Sequence, residues 1–315
     1  MAYQEYLTSE VAEDWSDGLI SRREALRRLA LLGVSASVAT ALLVAASGPA
    51  AAQSPGPSSS DSPSPMGAEP PLPPGAPGIA GGPITFPGPR GDLQGHLSDA
   101  VPPRGGVLVI HENRGLTDHI RSVADRLAGT GFTALAIDLL SEEGGTQAVA
   151  DEGRVSGVLG AASRERLVDD MRAGLDELEL RLPDSALGII GFCFGGGMVW
   201  ALLDAGDPRL AAAVPFYGPA PEAPDFIGVE AAVLGVYAGQ DDRVNASQER
   251  VRLALEAAGL THGINVYPGA GHAFFNDTGG RYDPTQAAAA WSDAFDWFDQ
   301  HLAATGAVPP SPSAS

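Results

Sequence analysis

The sequence predicts an α/β fold: a mostly parallel, doubly wound sheet with helices on both faces. Three observations lead there. Apolar runs at 106–111, 132–137, 211–216 and 232–237 have the length of strands, and 106–111 is apolar throughout, as a strand covered on both faces should be. Helical spacing separates the runs, with short turns between, which is the pattern of right-handed crossovers in a parallel sheet. The residues suited to chemistry, Glu112, Cys193, Asp241 and His272, all follow a strand, where such sheets carry their sites.

Taken in order, the chain opens with a segment that reads as a targeting signal. Arg22-Arg23 precedes an apolar run at 29–46, and Ala50-Ala51-Ala52 follows. Paired arginines, an apolar stretch and a small-residue site are the marks of a twin-arginine (Tat) export signal. Residues 1–52 are therefore expected to stand outside the fold. The chain is expected to engage the Tat export machinery and to be exported to the periplasm, cell surface or medium. The competing reading is an uncleaved membrane anchor, since the run has about the 18 residues that suggest a span. Residues 53–82 are Pro-, Ser- and Gly-rich and read as a disordered linker, and 306–315 as a disordered tail.

Residues 83–305 form the expected domain. Short alternating pieces in 83–104 suggest an antiparallel lead-in. Strand 106–111, a polar turn, a helix from 117 to 128 and strand 132–137 follow. Residues 141–162 are glycine-rich and suggest no element. Residues 163–182 carry Leu167, Met171, Leu175 and Leu178 on one helical face. A strand and helix occupy 187–203. Asn245 with Gln248 reads as a capping box opening a helix to Ala258, then comes a short strand at 264–267. Asp283 and Pro284 open the last helix.

Composition narrows the function. Acidic residues outnumber basic ones 39 to 19, a net charge of −20, which argues against nucleic acid or an anionic membrane as partner. Every basic residue is an arginine, so lysine-dependent phosphate loops, Schiff bases and Ser-Lys dyads are excluded. No cluster has metal-ligand spacing, and neither a metal nor another cofactor is expected.

The turn Gly191-Phe192-Cys193-Phe194-Gly195 is the cysteine form of a nucleophile elbow. Cys193 is the only cysteine, so it has no intramolecular disulfide partner. A thiol needs a base, and His272 in Pro268-Gly269-Ala270-Gly271-His272 is the candidate. An imidazole base needs an acid to fix its tautomer; Asp241 is the candidate and Asp242 its rival. Each residue alone is commonplace; together they run nucleophile, acid, base, the order of α/β-hydrolases.

From about residue 84 to 302 the chain resembles the dienelactone hydrolase family, the cysteine-dependent branch of that fold. The pieces that carry the resemblance are His111-Glu112-Asn113-Arg114-Gly115-Leu116, the elbow, Tyr237-Ala238-Gly239-Gln240-Asp241-Asp242-Arg243-Val244-Asn245 and Tyr267-Pro268-Gly269-Ala270-Gly271-His272. Asn276-Asp277 and Arg281-Tyr282-Asp283 resemble an exported subgroup.

The resemblance implies a Cys-His-Asp triad opening a small-molecule lactone or ester through an acyl-enzyme, as a carboxymethylenebutenolidase does. It also implies a thiol-tuning role for Glu112 and an oxyanion hole from the backbone N–H groups of Asn113 and Phe194. The family holds the substrate carboxylate with arginines, one of them four residues after the histidine; here that position is Asn276. Arg114 and Arg281 are the candidate replacements. A monomer is expected. The alternative function is a non-catalytic exported binding protein on the same scaffold.

Overall fold

The structure, a computed structural model, describes residues 3–46, 78–149 and 152–302. Most of the expected linker, 53–77, and the tail 306–315 lie outside the described residues. Three helices come first: α1 (Tyr3–Ser16), α2 (Arg22–Leu31) and α3 (Ala36–Ala46). The body follows as β1 (Gly82–Gly88), β2 (Gly91–Ser98), β3 (Gly105–Ile110), α4 (Asp118–Gly129) and β4 (Phe132–Asp138). Then come α5 (Glu152–Ala161), α6 (Arg164–Arg181), β5 (Leu187–Phe192), α7 (Phe194–Ala205) and β6 (Leu210–Phe216). The chain continues through β7 (Ala232–Ala238), α8 (Asp242–Asn245), α9 (Gln248–Ala257), β8 (His262–Tyr267) and α10 (Pro284–Leu302).

The eight strands form one sheet in the order β1-β2-β4-β3-β5-β6-β7-β8. β1 and β2 are the antiparallel lead-in, and every pairing from β4 to β8 is parallel. The central strands β3, β4, β5 and β7 are buried along their whole length, which is why they read as unbroken apolar runs. Helices cover both faces. A side chain at Gly188 would meet Phe298 of α10, whereas one at Gly191 would meet Val199 of α7. An odd separation along a strand means opposite faces.

Three local expectations need correction. The glycine-rich stretch 141–162 holds a 3-10 turn at Ser141–Glu143 and then α5. Asn245 does not open the long helix: it ends the short α8, and α9 starts after Ser247. Its side chain donates to Ala238 O at 2.7 Å and accepts from Gln248 Nε2 at 2.9 Å, so the pair bonds across the break between two helices.

The third correction concerns the N-terminal segment. Residues 3–46 do not stand apart from the fold. Tyr6, Leu7, Val11, Ala25, Leu29 and Leu43 are all buried in the same apolar core as the sheet. α1 ends in a left-handed turn at Gly18 (φ 75°), with Leu19 N–H donating to Asp14 O and Gly18 N–H to Trp15 O. Ser21 then caps α2, its hydroxyl accepting from Glu24 N–H at 3.2 Å. The apolar run at 29–46 is broken the same way: Gly33 (φ 78°) reverses the chain, with Val34 N–H donating to Leu29 O. No described helix is long and apolar enough to cross a membrane.

Candidate active site

β5 ends at Phe192 and α7 begins at Phe194, so Cys193 makes the turn alone. Its backbone sits at φ 55° and ψ −116°, a region that costs a non-glycine residue ~1–3 kcal/mol and persists only where the surroundings enforce it. They do so here. Cys193 N–H donates to Phe216 O, and Gly197 N–H donates to Cys193 O, both at 3.1 Å. The flanking glycines are required by close approach. A Cβ on Gly191 would stand 2.3 Å from Gly195 O, and one on Gly195 would stand 2.4 Å from Ile110 O.

His272 follows β8 in a loop that turns at Ala273 (φ 61°). Its Nδ1 lies 2.5 Å from Asp241 Oδ2. An ionised carboxylate only accepts, so Nδ1 carries the hydrogen and Nε2 faces the thiol side. Asp241 is itself fixed: its Oδ1 accepts from Val244 N–H at the start of α8. Asp242, the rival acid, is exposed on the first turn of α8.

Glu112 comes two residues after β3. Its Oε2 accepts from Asn276 Nδ2 at 2.6 Å, while Oε1 is buried with no hydrogen-bond partner. The neighbouring His111 is buried too. Its Nε2 accepts from Leu139 N–H, so Nδ1 is the donor to Glu112 O at 2.7 Å. That bond fixes the backbone from which Glu112 projects. The loop carrying Asn276 is anchored by Asp277, which bonds His119 Nδ1 at 2.8 Å and pairs with Arg126 on α4.

Cys193, Glu112, Asn113, Arg114 and Arg281 line one cavity of about 210 Å³. Phe194 is the first residue of α7, so its backbone N–H belongs to the N-terminal turn beside the thiol. Arg281 also pairs with the N-terminal segment: it bonds Asp14 at 3.0 Å and Asp17 at 2.8 Å.

Two residues that sequence reasoning missed sit at the centre. Tyr6 Oη of α1 lies 3.1 Å from Cys193 Sγ and 3.2 Å from His272 Nε2. Glu10, one turn on, places Oε2 3.4 Å from His272 Nε2 and 2.7 Å from Arg243 Nη2. Glu10, Cys193 and His272 present three possible ligand atoms within 4.8 Å of one another. Tyr6 Oη already bonds two of them, which makes the group a hydrogen-bonded cluster as it stands. The signals for these helices were present as Asp17-Gly18, a helix stop, and Ser21-x-x-Glu24, a capping box.

Burial, followed by the nearby Glu10 charge, pushes the Cys193 thiol up. Burial alone would push the His272 imidazole down. The carboxylates of Glu10 and Asp241 and the Cys193 sulfur outweigh it, and the ring is held well above its ordinary value. Burial would raise Glu10, but His272, Arg243 and Arg281 bring it down to about 2. Burial likewise would raise Asp241, and His272 reverses the sign.

The strand order, the strained elbow and the histidine-carboxylate pair beyond the later strands define an α/β-hydrolase. Residues 95–302 match the model of the dienelactone hydrolase family. The chain belongs to that family. A protein of Methylorubrum extorquens named "Putative carboxymethylenebutenolidase" is 32% identical over 72% of this chain and 83% of its own length. One of the same name from Escherichia coli is 35% identical over 62% of this chain and 76% of its own. A solved structure from Klebsiella pneumoniae, titled as a "Putative Dienelactone Hydrolase", superposes with a TM-score of 0.64 at 28% identity, covering 70% of this chain and 98% of that one. The family match begins inside β2, so α1, α2 and α3 lie before it.

Proposed function

We propose that the protein hydrolyses a lactone or an activated carboxylic ester, as a carboxymethylenebutenolidase does, through an acyl-enzyme on Cys193. The observation that carries this reading is the arrangement of one ring. His272 is tied to Asp241 through Nδ1, and its other edge reaches the cluster containing Cys193 Sγ.

The steps follow from the atoms present. The thiol proton passes to Glu112 or His272, and the thiolate attacks the substrate carbonyl carbon. Negative charge moves to the carbonyl oxygen, where the backbone N–H groups of Asn113 and Phe194 are assigned to receive it. Collapse breaks the ring or ester C–O bond, and the leaving oxygen takes a proton from His272. His272 then removes a proton from water, whose oxygen attacks the thioester. The carboxylic acid leaves and the thiol regains its proton. Asp241 keeps the ring in one tautomer and stabilises the imidazolium throughout.

The test is hydrolysis of aryl esters and enol lactones by the wild type and Cys193→Ala. The variant is expected to lose at least ~1000-fold in kcat. Mass spectrometry of a slow ester should show an acyl group on the wild type only. Full activity in Cys193→Ala would sink the reading, and substrate binding without turnover after the N-terminal segment has been cut off would favour a binding protein instead.

We further infer that the chain is exported. Arg22 and Arg23 stand exposed at the start of α2, which supports recognition of the pair. Cell fractionation with and without Arg22→Gln/Arg23→Gln tests this. Wild-type protein that stays in the cytoplasm would overturn export, and a pair variant that still leaves it would overturn recognition of the two arginines.

A further inference from the structure

We propose that residues 3–19 are an intramolecular cover that seats Tyr6 on the nucleophile and keeps the hydrolase latent until the segment is withdrawn. The proposal rests on the reading of Cys193 as nucleophile.

Tyr6 is fully buried, and Cys193 is only 2% exposed beneath it. The Tyr6 hydroxyl bonds the sulfur and His272 Nε2 at once. A substrate carbonyl must approach that sulfur, and the water of the second half-reaction must stand against that nitrogen. The sulfur still borders the cavity on its Glu112 side, but the phenol takes one of its approaches and the place at His272 Nε2 where the water must stand, so deacylation is incompatible with its position.

The seat is specific in charge as well as shape. The protein carries a net charge of −20, yet α1 meets two arginines of the body. Arg243 donates to Tyr6 O at 3.2 Å, bonds Glu10 at 2.7 Å and Glu13 at 2.8 Å, and stacks 4.6 Å over the Tyr6 ring. Arg281 holds Asp14 and Asp17. Such a group of partly buried, charge-assisted contacts is stronger than the same pairs in water.

The body also makes room. On α5, a Cβ at Gly157 would stand 3.1 Å from Leu31 O, and one at Gly160 would stand 3.0 Å from Leu7 Cδ1. Gly160 lets the cover lie close, and Gly157 does the same for α2, which packs beside it. The family match spans residues 95–302, so the cover lies outside it.

The test uses the full chain with a site-specific protease sequence inserted between residues 54 and 76. Cys193 is the only cysteine, so iodoacetamide uptake by mass reports its access without requiring catalysis. Uptake and aryl-ester hydrolysis are followed before cutting, after cutting and removal of the N-terminal piece, and after adding back a peptide of residues 1–20. A second full-length protein, Leu7→Asp/Val11→Asp, disrupts the seat without a cut.

Cutting and the double substitution are each expected to speed alkylation by ~10-fold or more, since the rate follows the open population. Hydrolysis should rise in parallel, and the peptide should reverse both effects after cutting. Equal alkylation before and after cutting, or hydrolysis that falls on cutting, would overturn the cover. Alkylation that rises while no form hydrolyses any ester would uphold the cover and remove the hydrolase reading.

Discussion

Cys193 is held in its strained conformation by the space around it rather than by its own preference. The carbonyls of Gly195 and Ile110 stand where the β-carbons of Gly191 and Gly195 would go. Gly195→Ala is therefore expected to cost at least ~1–3 kcal/mol of stability, read as a fall in the urea midpoint, since the obstruction is backbone. Glu112 offers a second residue-scale test. Asn276→Asp would replace the amide donor with a second carboxylate against Glu112 Oε2. The added charge should shift the pH profile of Cys193 alkylation in the cut protein upward by about one unit. An unshifted profile would remove Asn276 from any positioning role. The sequence marks Cys193, His272 and Asp241 well, because their chemistry depends on local turns that leave glycines beside them. It marks Tyr6 poorly, since nothing local links an early tyrosine to a sulfur 187 positions away.

The elements were legible in proportion to how completely they are buried. Strands β3, β4, β5 and β7 are covered on both faces and announce themselves as apolar runs. Helix α5 was not legible, because Gly153, Gly157 and Gly160 lower its intrinsic preference and its place is set by tertiary contacts. Helices α1 and α2 were obscured by a competing pattern: paired arginines before an apolar run describe a signal as well as a hairpin. The loop after His272 depends on Asp277. Burial would raise that carboxyl, but the His119 bond and Arg126 hold it at about 2, below its unfolded value. A depressed folded pKa contributes stability that is present above the unfolded value, near 4, and lost as pH falls through about 2. Asp277→Asn is expected to cost ~2 kcal/mol near neutral pH, with the deficit shrinking in acid. Urea unfolding at several pH values checks both the size and the slope.

At the scale of the molecule, charge is unevenly placed. An excess of acid keeps the surface solvated, while the arginines at 243 and 281 are drawn inward by carboxylates from one helix. Neutralising Arg281 with Gln is expected to weaken the cover without touching the thiol, and alkylation of the uncut protein should speed by ~5-fold or more. An unchanged rate would place the whole hold on Arg243 and the apolar side chains. The long-range order of the sheet was legible because consecutive strand-helix units have few ways to assemble. The docking of residues 3–46 was not, because it depends on surfaces that exist only after the body has folded.

The reversal at Gly33 has a mechanical corollary. Straightened, residues 29–46 would make one rod of about 27 Å, close to the thickness of a bilayer's oily interior. Bent at Gly33, the same stretch folds back and lays α3 along α1. The two shapes exclude each other, so threading this stretch through a lipid layer and keeping α3 on α1 cannot occur in the same molecule at the same time.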